Sequence, residues 1–189
     1  MDDATLLSFA GKAPAIDPTA FVAPGAWLIG DIEIGPGSSI WYNCVLRGDV
    51  NRIRIGARTN IQDGTVVHVE SGHPGAEAGH ATIIGDEVLI GHLAMVHGCR
   101  LHDRAFVGLG AIVMNGCAIE GDAMLAAGAM LTPGKCIPAG QLWAGRPAKY
   151  LRDLTPDDLA GMREGVAHYA ELAKRHVAAL NRRDAPSAG

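Results

Sequence analysis

An aliphatic residue recurs every six positions in this sequence, and that period limits the possible folds more than any other feature. Val22, Leu28, Ile34, Ile40 and Leu46 form one run; Ile55, Ile61 and Val67 a second; Ile84, Ile90 and Val96 a third. Leu101, Val107, Val113, Ile119, Leu125, Leu131 and Ile137 complete 18 slots. Two positions before most slots stands a small residue: Ala26, Ser38, Cys44, Thr59, Thr65, Ala94, Cys99, Ala105, Ala111, Cys117, Ala123 and Ala129. A period of six fits neither a helix of about 3.6 residues per turn nor the two-residue alternation of a strand. It fits a parallel β-helix of hexapeptides, three of which close one triangular coil. The expectation is an all-β repeat of about six coils spanning residues 12–140, stacked ~4.8 Å apart. The core suits the composition: 25 glycines but only three Trp, three Tyr and three Phe among 189 residues, so small and branched side chains must fill it.

The period breaks in three places. Three extra residues intrude between Leu46 and Ile55, and eleven between Val67 and Ile84. Residues 71–79, SGHPGAEAG, read as an exposed loop of turn formers. From Val96 to Leu101 the step is five residues and contains His97-Gly98. After Ile137 the repeat stops, and residues 141–154 read as a connector. Thr155 then resembles an N-cap, with Pro156 at the first helical position and Asp157 and Asp158 in the first turn. Leu159, Met162, Val166, Tyr169, Ala173, His176 and Leu180 give one apolar face, so residues 155–184 are predicted to form an amphipathic helix.

Several function classes drop out. A net charge of −4 offers no basic footprint for nucleic acid. The longest apolar run, residues 123–131, is far short of the roughly 20 residues that cross a bilayer. The opening MDDATLLSF is acidic where a signal peptide needs a basic flank. Four cysteines form no C-x-x-C pair, and three of them are small-slot residues. The expectation is a cytoplasmic protein with reduced, structural thiols, binding neither membrane nor nucleic acid.

Columns then place the polar residues. Leu46, Val67 and Val96 occupy one slot of three successive coils, and the outward residues that follow them are Arg47, His68 and His97. The histidines are 29 residues apart, one coil of 18 plus the eleven-residue insertion. The neighbouring slot holds Ile61 and Ile90, followed by Gln62-Asp63 and Gly91-His92. His92 therefore lies near a different edge of the prism, and can join the other two imidazoles from a neighbouring subunit around a threefold axis. Three neutral imidazoles with one open position suit zinc, at Zn–N distances of about 2.0–2.1 Å. His73, His80, His102, His168 and His176 fall on loops, a turn or the helix and read as ordinary histidines.

These residues carry a resemblance. LRGDVNRIRIGARTNIQDGTVVHV followed by IGDEVLIGHLAMVHGC resembles the γ-class carbonic anhydrase family across residues 12–155, through R-G-D, N-I-Q-D, V-H and G-H-x-x-x-x-H-G-C. The resemblance implies that the β-helix is left-handed and that three chains form a trimer with interfacial sites for Zn2+, or for Fe2+ or Co2+ in some members. It assigns His68 and His97 to one subunit and His92 to the next. Arg47 and Asp49 would pair across the interface, Gln62 would bond the catalytic hydroxide, and Asn60 and Asp63 belong to the same motif. The implied reaction interconverts CO2 and bicarbonate. The family's archetype passes protons through a glutamate after the Arg-Gly-Asp aspartate and another on a loop after the first histidine. Val50 stands at the first place here and Glu70 or Ser71 near the second, with Glu70, Glu77, His73 and His80 as stand-ins. The competing readings are a hexapeptide-repeat acyltransferase, a thioesterase using the same metal, and a non-catalytic assembly subunit.

Overall fold

Each inward aliphatic side chain needs apolar neighbours above and below, and the backbone register supplies them. On the first face Leu28 lies over Leu46, then Val67, Val96, Val113 and Leu131. On the second, Ile34 is followed by Ile55, Ile84, Leu101, Ile119 and Ile137. The third stacks Val22, Ile40, Ile61, Ile90, Val107 and Leu125. All these pairings are parallel, and the product is a β-helix with a single C-terminal α-helix, seen in a computed structural model that describes residues 4–72 and 79–183. The strands Trp27–Ile34 and Val45–Ile55 run round a corner without a break, which merges the first two faces into one sheet. All twelve small-slot residues are buried beside the aliphatics. Leu101 pairs beneath Ile84, so the five-residue step is real.

The solenoid is longer than six coils. It has seven levels, because Leu6 stacks on Leu28, Ile16 on Ile34, and Trp143 beneath Leu125. Leu6 escapes the period because a tight turn at residues 9–12 adds four residues before Ile16. Ala10 and Gly11 take φ of 49° and 77° there, and Phe9 and Lys12 exchange both backbone hydrogen bonds. Trp143 is in phase but aromatic, so an aliphatic count passes over it. The β-helix therefore runs from Thr5 to Ala144 rather than 12–140. The expected connector is mostly a hairpin: Gln141–Ala144 joins the third face, and Lys149–Asp153 pairs back on it antiparallel.

Both large insertions leave the prism at the corner after the first face. Residues 49–52 bulge out opposite the single residue Asp31. The glycine before them is obligatory, since a Cβ on Gly48 would lie 2.6 Å from the Asp31 carbonyl oxygen. The second loop is pinched at its neck, where Glu70 and His80 exchange backbone hydrogen bonds of 2.8 and 3.2 Å. His73 and Glu77, within it, lie outside the described residues.

The helix, Pro156–Arg183, begins with a reciprocal cap. Asp158 N donates to Thr155 Oγ1, while Thr155 N donates to Asp158 Oδ2 at 2.7 Å. Its apolar stripe covers the third face, burying Met162 and Ala173. Trp41 meets Tyr169 edge-to-face at 5.4 Å and His176 at 5.0 Å, and Tyr42 OH bonds His176 Nδ1 at 2.8 Å. Each aromatic pair adds about 0.5–1.5 kcal/mol beyond its buried area. That latch holds Tyr169, and with it the helix, beside the corner that carries His92.

Candidate metal centre

Side chains on the first face alternate, so its inward slots leave the flanking positions pointing out. The strands Val66–His68 and Met95–His97 pair in register, which puts His68 directly over His97. Their rings meet at a centroid distance of 4.9 Å, with His68 Nδ1 3.0 Å from His97 Nε2. The opposite nitrogen of each ring is also engaged. His68 Nε2 lies 3.0 Å from Asp49 Oδ1, and His97 Nδ1 is hydrogen-bonded to Asn115 Oδ1. Asp49, His68, His97 and Asn115 thus form a ladder with one side chain per coil.

The electrostatics favour a neutral His68. Burial depresses the His68 pKa, assisted by Arg47 and His97 and opposed by Asp49. Burial alone would raise the Asp49 carboxyl, but hydrogen bonds from Arg47 and His68 outweigh it and hold it below the ordinary range. Arg47 and Asp49, expected to pair across an interface, pair within one chain at 2.5 Å. They sit two apart on one strand, with Gly48 between, so both point to the same side.

A second group gathers at another corner, where the third face turns into the first. His92 Nδ1 is 2.8 Å from Asp63 Oδ2, and His92 Nε2 is 3.3 Å from the hydroxyl of Tyr169 on the helix. Burial raises the Tyr169 pKa and Asp63 adds to it, so the phenol stays neutral. Beside them Gln62 Nε2 donates to Asn60 Oδ1 at 3.2 Å. Both amides are buried, and Asn60 Nδ2 has no partner among the described residues. A buried donor without an acceptor costs about 1–3 kcal/mol, which suits a place that receives a polar guest.

The residues expected at one site therefore lie in two halves, with His92 apart from the stacked His68 and His97. Among the described residues no three His, Cys, Asp or Glu side chains converge on one ion position. Between the halves lies the outward side of the first face, and it is apolar: Trp27, Val45, Val66, Met95, Ile112 and Met130. Leu93, next to His92, is 73% exposed, and Leu109 on the coil below is 53% exposed.

The His68–His97 pair fits a divalent ion of the zinc type. When the outer N–H groups donate to Asp49 and to the Asn115 carbonyl oxygen, both inner nitrogens present lone pairs to each other. Two lone pairs 3.0 Å apart repel, and a cation relieves them. Nitrogens bound tetrahedrally at about 2.0–2.1 Å stand about 3.3–3.4 Å apart, close to the spacing already built in. Outer nitrogens held by a carboxylate and an amide are the support that ligating histidines need.

The chain is similar to known proteins over most of its length. Gamma carbonic anhydrase 1, mitochondrial, of Arabidopsis thaliana is 48% identical over 174 residues, or 92% of this chain and 63% of its own length. The probable carbonic anhydrase of Methanocaldococcus jannaschii is 42% identical over 153 residues, 81% of this chain and 92% of that protein. The chain belongs to the γ-class carbonic anhydrase family. It spans less than two thirds of the Arabidopsis relative. No protein-family model matches the sequence. Among solved structures, a hexapeptide transferase family protein from Anaplasma phagocytophilum aligns with a TM-score of 0.84 at 46% identity, covering 92% of this chain and 98% of that one. Within the described residues no helix is long and apolar enough to cross a membrane.

Two residues of the candidate site are missed by the sequence pattern. Asn115 lies two positions past the Val113 slot, one beyond Met114, which continues the His68–His97 column, so column arithmetic steps over it. Tyr169 arrives from the helix, 77 residues from His92, and no periodicity connects them.

Proposed function

We propose that this chain is a metal-dependent γ-class carbonic anhydrase, acting as a cyclic homotrimer with one ion at each interface. His68 and His97 of one subunit and His92 of the next supply the ligands. The observation that carries this reading is the split site: complementary histidine half-sites on opposite edges of one apolar face. A threefold axis brings the His68 edge of each subunit to the His92 edge of its neighbour and covers the face between. Zn2+ is the proposed ion, with Fe2+ or Co2+ also compatible with imidazole ligands. When bound, it supplies a water acidic enough to attack CO2 near neutral pH.

The chain's own residues do the rest. Asp49 accepts from His68 Nε2–H, which fixes the tautomer, while Arg47 keeps that carboxylate charged. Asp63 does the same for His92 through Nδ1–H, leaving Nε2 outward where Tyr169 now meets it. Gln62, braced on Asn60, is the amide that orients the attacking water and CO2. Hydration also releases a proton that must reach solvent. Glu70 and His80, 3.6 Å apart and each about one third exposed, stand at the neck of the adjoining loop as its acceptors. A hexapeptide-repeat acyltransferase, the runner-up reading, would have no use for two facing imidazole lone pairs. The site of action is proposed as the cytoplasm or an equivalent aqueous compartment.

Elemental analysis of anaerobically purified protein, with stopped-flow CO2 hydration, tests the reading. About one divalent ion per chain and measurable hydration are expected. Gln62→Ala should keep the metal and lose about 10–100-fold in turnover. Metal-replete protein without hydration would leave an assembly subunit as the reading.

A further inference from the structure

We infer that Asn115 is a positioning residue for the metal, acting through His97; the inference rests on the metal reading above. A neutral imidazole carries one ring proton, and the group beside its outer nitrogen decides where that proton sits. Asn115 Oδ1 can only accept, so facing His97 Nδ1 it holds the proton there and leaves Nε2 as a lone pair. That Nε2 is the nitrogen directed at His68, 3.0 Å away. His68 takes the same form for the same reason, with Asp49 as its acceptor. One ring is thus set by a carboxylate from the coil above and the other by an amide from the coil below.

The backbone is arranged to deliver that amide. Gly98 N donates to the His68 carbonyl at 3.1 Å, and Gly116 N donates to the Gly98 carbonyl at 2.8 Å, which locks three coils in register beside Asn115. Gly98 itself has φ +53°. A Cβ there would stand 3.3 Å from Asn115 Oδ1 and 2.9 Å from His80 Cβ. The glycine after His97 therefore leaves the space through which Asn115 reaches the ring.

Asn115→Leu removes the acceptor at nearly constant volume, and Asn115→Asp keeps an acceptor that cannot donate. Zinc affinity of the full-length trimer is read by competition with a chromophoric chelator, with circular dichroism and light scattering as checks on fold and assembly. Asn115→Leu should bind zinc about 10–100-fold more weakly, and Asn115→Asp as tightly as wild type or more so. A merely structural role would penalise both substitutions. In zinc-loaded wild type a His97 Nδ1 proton protected from exchange should be visible by NMR, and Asn115→Leu should lose it. Equal zinc affinity in wild type and Asn115→Leu overturns the inference alone. Wild-type protein that holds no zinc overturns it together with the metal reading. If Asn115→Leu does not fold, weak zinc binding by a folded Asn115→Asp overturns it.

Discussion

The split site makes a quantitative prediction about mixed trimers. His92 is held by Asp63 and Tyr169 at one corner, while His68 and His97 face each other at another. Each proposed ion then needs His97 from one chain and His92 from the next. Homotrimers of His92→Ala and of His97→Ala should both bind zinc poorly, because every site keeps two imidazoles of three. In a mixture, a site is whole wherever a His92→Ala chain presents its intact His68 and His97 to the intact His92 of a His97→Ala chain. Any mixed ring of three contains one such junction, since the interface is heterologous and the ring closes. Random equal mixing makes about three quarters of the trimers mixed, so about a quarter of all sites return. Co-expression with two different tags, purification through both, and metal analysis give the answer. About one ion per mixed trimer is expected, against three for wild type. A value near zero refutes the shared site, since ligands drawn from one chain cannot be restored by mixing.

Two further outcomes follow from the structure. Cys44, Cys99 and Cys117 are buried, and burial pushes the Cys44 thiol up to about 12, whereas Cys136 is exposed. One thiol per chain should therefore react with a disulfide reagent at pH 8 in the native state, and four after denaturation; fast reaction of two or more would contradict the packed corners. At another corner Arg104 grips Asp122 through hydrogen bonds of 2.9 and 2.8 Å and lowers its pKa. A depressed carboxyl stabilises the fold above its unfolded value of about 3.9 and loses that effect as pH falls through the folded value. Asp122→Asn should lower Tm at pH 7 by the worth of a surface pair, under about 1 kcal/mol, with the deficit vanishing in acid; a deficit that persists at pH 2 would point to packing instead.

The period made the fold legible because in a solenoid lateral position is arithmetic on the chain. Six residues carry the backbone across one face, so Val67 and Val96 fall in one column despite the inserted loop, and His68 over His97 follows. Arithmetic fails where contact does not follow the winding. Tyr169 reaches His92 because the aromatic latch around Trp41 sets where the helix lies, and nothing in the hexapeptides encodes that. It also fails at the ends: the tight turn at residues 9–12 hides Leu6, and an aromatic slot hides Trp143. The meeting of Arg47 and Asp49 within one chain has a local cause. Two side chains flanking one glycine on one strand point to the same side.

The interruptions of the period say more about the site than the histidines do. An extra residue within a face would send every later side chain of that strand from core to solvent, so a coil takes insertions at its corners. There are three corners per coil, yet both large insertions leave from the one after the first face. The bulge at residues 49–52 brings Asp49 to His68, and the neck of the longer loop brings His80 against Gly98. The five-residue step falls on the same corner, at His97-Gly98, where Gly98 leaves room for Asn115 of the next coil to reach the ring. An unadorned hexapeptide coil would present outward side chains there with nothing to orient them. Three departures at a single corner, each supplying a neighbour or space to one of two stacked imidazoles, are what packing alone gives no reason to expect.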